Sequence, residues 1–144
     1  MPDISNIRIL ERKANKRGDL FGRLMTDLLL ALGYDQPRLN IHKSGREIDI
    51  EAEHRTESRR AIAECKAAKE KIGGAYINKF VGALDVERKK NPDVRIEGYY
   101  ISLAGFTETA IEQEKEAGGN RAILLDGNKV IHISMEDKGL GRSA

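Results

Sequence analysis

The sequence predicts an α/β fold, with a mixed central β-sheet flanked by helices. Three observations predict it. Apolar residues recur at three- and four-residue spacing over residues 18–32 and 75–89, the period of an amphipathic helix. Polar and apolar residues alternate over 46–53 and 60–66, the period of a strand with two different faces. Beyond residue 74, helix-like and strand-like segments follow one another, which calls for parallel crossovers, whereas the two alternating runs lie close enough to form a hairpin.

Residues 1–17 read as an entry segment, 18–134 as the domain and 135–144 as a polar tail or linker. In the first helix, Leu20, Phe21, Leu24, Leu28, Ala31 and Leu32 make one apolar stripe, and Gly33 ends it. A short strand is expected over 38–44. In the next strand Ile48, Ile50 and Ala52 point one way, and Glu47, Asp49, Glu51 and Glu53 the other. The polar stretch His54 to Ser58 reads as a hairpin turn. In the strand that follows, Ile62, Glu64 and Lys66 share one face; Ala61, Ala63 and Cys65 share the other. The second helix buries Ile77, Phe80, Val81 and Leu84, and Asn91-Pro92-Asp93 breaks it. Residues 94–103, rich in β-branched and aromatic side chains, read as a buried strand. Thr107 caps a third helix, which Gly118-Gly119 end. Ala122 to Leu125 form a strand, Asp126-Gly127-Asn128 a tight turn, and Val130 to Ile133 the last strand.

At 144 residues the chain has the size of one domain. With 33% charged residues it contains no apolar run of about 18 residues, so a membrane span is not expected. Its N-terminus lacks the pattern of a signal peptide, and its single cysteine, Cys65, excludes an internal disulfide framework. From these features a cytoplasmic location is the expectation. The net charge of +2 is low for a protein that coats DNA, but the basic residues are clustered. One cluster holds Arg8, Arg12, Lys13, Lys16, Arg17 and Arg23; another holds Arg55, Arg59, Arg60, Lys66, Lys69 and Lys71. Each is by itself a solvated face. Together they indicate DNA only if they flank a site of phosphate chemistry.

Asp49, Glu64 and Lys66 compose such a site. Glu64 and Lys66, two apart on a strand, share a face, and a hairpin brings Asp49 to that face. Two close carboxylates repel, and a divalent cation relieves the conflict. Hard oxygen ligands suit Mg2+, with Mn2+ as the alternative, and the Cys65 carbonyl is a further candidate ligand. Lys66 then orients a water or stabilises charge growing on the phosphate. On their own, an acid and a Glu-x-Lys more often mark an ordinary charged strand. Cys65 itself, on the opposite face, reads as a small core residue. His42, His54 and His132 have no ligand spacing.

The segments Gly45-Arg46-Glu47-Ile48-Asp49-Ile50 and Ala63-Glu64-Cys65-Lys66-Ala67 resemble the PD-(D/E)xK nuclease superfamily. Phe21-Gly22-Arg23-Leu24, Leu32-Gly33-Tyr34, Ala104-Gly105-Phe106-Thr107 and Leu124-Leu125-Asp126-Gly127 are similar to its Mrr-like restriction endonuclease branch. The resemblance covers residues 18–134 and implies a restriction-endonuclease-like sheet and Mg2+-dependent cleavage of DNA. It carries Asp49 and Glu64 over as metal ligands and Lys66 as the catalytic lysine. Many such relatives place a glutamate in the opening helix where this chain has Gly22; Asp19, one turn earlier, is the candidate substitute. Tyr76, Asn78 and Lys79 open the second helix beside the expected site, with Asn78 a supporting candidate. Arg46, Arg59, Arg60, Lys69 and Lys71 are the expected DNA contacts.

Three functions are compatible with these residues. The first is a Mg2+-dependent endodeoxyribonuclease, an effector module of a larger bacterial or archaeal defence or DNA-processing protein with an NTPase as partner. The second is a catalytically weakened DNA-binding module of the same fold. The third is a branched-DNA resolvase, which calls for a homodimer with paired sites.

Overall fold

In β2 (Glu47–His54) and β3 (Arg59–Lys66) the alternation of the sequence becomes two-sided burial. Ile50, Ala52, Ala61, Ala63 and Cys65 are fully buried, whereas Asp49, Ile62, Glu64 and Lys66 are half-buried on the other face. The computed structural model describes residues 14–41, 47–67, 69–119 and 121–137. Its remaining strands are β1 (Tyr34–Ile41), β4 (Arg95–Ser102) and β5 (Ile123–Asp126), and its helices are α1 (Ala14–Ala31), α2 (Gly74–Lys90), α3 (Glu108–Glu116) and α4 (Gly127–Asp137). The five strands form one sheet in chain order. β1, β2 and β3 are antiparallel; β3, β4 and β5 are parallel. The expected mixed α/β sheet is therefore the observed one.

Each face carries its own core. On one, Ile50, Ala63, Cys65, Tyr99, Ile101 and Leu125 pack with Met25, Leu28 and Leu29 of α1 and Val130 of α4. On the other, Ile96 and Tyr100 pack with Ile77, Phe80, Val81 and Leu84 of α2 and Ala110 of α3. Burying a side chain of that size stabilises the fold by about 1.5–3 kcal/mol. Gly98 lets α2 approach the sheet, since a Cβ there would overlap Leu84.

Element bounds depart from expectation in three places. α1 begins at Ala14 rather than 18. β1 begins at Tyr34 rather than 38, running through Pro37 and a register irregularity between Asp35 and Arg38. Proline is tolerated there because β1 is an edge strand. The largest correction concerns the expected turn at Asp126-Gly127-Asn128 and last strand at Val130 to Ile133. Asp126 ends β5, and Gly127 to Ile133 open α4, which reaches Asp137 inside the expected tail. The Asp126 carboxylate accepts a hydrogen bond from the Lys129 amide at 2.9 Å, which is a helix cap rather than a hairpin turn. Val130 and Ile133, three apart, then share one helical face towards the core. By contrast, Thr107 caps α3 as expected, its hydroxyl accepting from the Ala110 amide at 3.2 Å.

Candidate active site

Asp49 and Glu64 are directly opposite partners in the antiparallel β2–β3 ladder. Opposite residues share a face, with Cβ atoms about 4.5–5.5 Å apart. Lys66 follows on that face as the last residue of β3, level with Ser102 and Asp126 at the ends of β4 and β5. The three groups thus converge at the carboxyl ends of the parallel strands, where open α/β sheets form their ligand crevices. The Lys66 ammonium lies 3.8 Å from the ring centroid of Tyr76, in the first turn of α2.

Cys65 points the other way and is fully buried. Burial pushes its thiol well above the ordinary 9.0, and the charges of Asp49 and Glu64 push it further. It stays a neutral core thiol. Its carbonyl lies within the sheet, since β3 stands between β2 and β4 and Cys65 is the register partner of Ile48. The Lys66 carbonyl accepts from the Leu103 amide at 3.2 Å on the β4 side. Carbonyl directions alternate along a strand, so that of Cys65 is directed towards β2.

The residues present fit a hard divalent cation. Two facing carboxylates supply anionic oxygens, the donor type Mg2+ prefers. Among the described residues no group of three or more His, Cys, Asp or Glu side chains could hold a metal. Two carboxylates supply only part of a coordination sphere, and Mg2+ characteristically completes its own with water and substrate phosphate.

The expected DNA contacts divide. Lys69 and Lys71 are exposed in the segment that leaves β3 at the site end. Arg46 lies outside the described residues. Arg59 and Arg60 open β3, and six residues at about 3.3 Å each separate Arg60 from Lys66 by roughly 20 Å. Arg60 is engaged by Glu53 at 2.8 Å. Arg59 pairs with Glu57 at 3.2 Å and lies over the Tyr34 ring at 5.7 Å. They brace the hairpin end of the sheet and do not flank the site.

Asn78, the expected supporting residue, is held between α2 and α3. Its side-chain oxygen accepts from Gln113 at 2.6 Å and Arg121 at 3.3 Å, tying α2 to α3 and to the connection that precedes β5. Residues two apart on a helix point about 200° apart, so Asn78 faces away from Tyr76 and the site. The side chain of Asp19 lies outside the described part of α1. Gly22 is buried and shares a stripe with Met25 and Leu29, facing the core on the opposite side of the sheet from Asp49 and Glu64. A side chain at 22 is thus directed into packing, not towards the site. Tyr76 is the site residue that periodicity undervalues: it sits beside the buried stripe of α2 and is 53% exposed.

A family model described as restriction endonuclease matches residues 14–134. The apo structure of EndoMS is similar in fold, with a TM-score of 0.55 at 10% identity over 83% of this chain and 48% of EndoMS. The chain thus spans about half the length of EndoMS. No curated protein matches.

Proposed function

The chain belongs to the restriction endonuclease family, in its Mrr catalytic-domain branch, and from that premise we propose that it is a Mg2+- or Mn2+-dependent endodeoxyribonuclease. Asp49 and Glu64 would hold the cation, with the Cys65 carbonyl beside them. When bound, the cation polarises the scissile phosphate and lowers the pKa of a water. Lys66 brings a positive charge to the same face, where it stabilises charge on the phosphate and orients the attacking water. Lys69 and Lys71 bind the DNA backbone next to the site. The observation that carries the reading is the facing pair Asp49 and Glu64, with Lys66 two residues along.

The test is cleavage of plasmid and oligonucleotide DNA in Mg2+, Mn2+ or EDTA. The wild type should cut with either metal and stop in EDTA, and Asp49→Ala should be inactive. Cutting that persists in EDTA would contradict the metal-dependent reading. A second reading is a DNA-binding module with weakened chemistry, in which the two facing carboxylates hold too little of a cation's coordination sphere. DNA binding without cleavage in either metal would select it.

A further inference from the structure

We propose that Tyr76 is a positioning residue for Lys66, its ring face holding the ammonium at the site before DNA arrives. The proposal rests on the reading of Lys66 as the catalytic lysine. The ammonium is 3.8 Å from the ring centroid, well inside the roughly 6 Å reach of a cation–π contact. Tyr76 has little part in the core: it is 53% exposed, while Ile77 beside it is fully buried.

The ring stands on a fixed support. Ile77 anchors the first turn of α2 in the core. Ahead of the helix, the Ile72 amide donates to the Gly105 carbonyl at 3.0 Å, and the Thr107 amide donates to the Ile72 carbonyl at 3.0 Å. Gly74 packs against Gln113 so closely that a Cβ would overlap its side chain. Lys66, by contrast, carries its charge on a flexible four-carbon stem. A fixed aromatic face beside it restricts the stem in the free protein, so less ordering remains for the reaction step.

The test has two arms. In the first, lysines of the full chain are reductively 13C-dimethylated, which preserves their charge, and the Lys66 signal is assigned with Lys66→Arg. Its methyl resonance should be shifted upfield by the ring in the wild type and in Tyr76→Phe, and should lose that shift in Tyr76→Leu. In the second, unmodified proteins cut DNA in single turnover. Tyr76→Leu should lose about three- to tenfold in rate with DNA affinity nearly unchanged, and Tyr76→Phe should stay within about twofold of wild type. A Lys66 resonance identical in wild type and Tyr76→Leu overturns the proposal, as does wild-type cleavage by Tyr76→Leu. Wild-type cleavage by Lys66→Ala overturns the catalytic reading of Lys66 and this proposal with it; a missing ring contact overturns this proposal alone.

Discussion

Strand alternation sends Glu64 to the half-buried site face and Cys65 into the core beneath it. The same logic of faces decides Gly22. Its burial in line with Met25 and Leu29 means that Gly22→Glu forces a carboxylate into apolar packing. The melting temperature of that variant should fall by on the order of 5 °C or more. Tighter metal binding by Gly22→Glu at unchanged stability would show that α1 reaches the site. Tyr99 offers a pH test. Its hydroxyl lies 3.4 Å from that of Tyr34. Burial first, and that hydrogen bond second, push its pKa up from the ordinary 10.0. The folded protein therefore holds this proton when the unfolded chain releases it. The resulting stability is intact below the unfolded pKa and is lost as pH rises towards the raised folded one. Between about pH 9 and pH 11, the urea midpoint should fall less in Tyr99→Phe than in wild type. Equal falls would mean that Tyr99 ionises as in the unfolded chain.

Among the elements, those read well from the sequence are the ones whose period and caps agree. The β2–β3 hairpin has a strict two-residue alternation, and α3 begins at a threonine that does cap it. β1 was obscured by Pro37, which is compatible with a strand only because an edge leaves its missing donor unneeded. The pattern misleads at α4 because Asp-Gly-Asn suits a hairpin turn locally, whereas the Asp126 carboxylate is used as a cap. That Asp49, Glu64 and Lys66 share one face was legible from strand parity; that they compose a site is an expectation carried by the family resemblance. The placement of Asn78, Arg59 and Arg60 was not legible, because it depends on partners in α3 and at the hairpin end. Helix-to-sheet spacing is testable with two glycines. Gly98→Ala should cost about 1–3 kcal/mol because its Cβ meets Leu84. Gly82→Ala, exposed in α2 with nothing within 4 Å of the added carbon, should stabilise by about 0.5–1 kcal/mol. Denaturant titration measures both, and a neutral Gly98→Ala would contradict the close approach of α2.

At the scale of the molecule, the proposed function gives the sheet a chemical end and a bracing end. Lys66, Lys69 and Lys71 belong to the first, and Arg59 and Arg60 to the second. Replacing Lys69 and Lys71 together by glutamate should weaken DNA affinity and flatten its dependence on salt, as read by fluorescence anisotropy. Replacing Arg59 and Arg60 should leave DNA affinity nearly unchanged, since their charges serve the hairpin. The reverse pattern would place DNA at the wrong end of the sheet. The central claim is narrower still: Asp49 and Glu64, facing each other across β2 and β3, make one cation site. Electron paramagnetic resonance of Mn2+ titrated into the protein tests it without DNA. The wild type should bind the ion, and Asp49→Asn and Glu64→Gln should each weaken that binding by at least about tenfold while folding normally. Undiminished Mn2+ binding by both variants would contradict it.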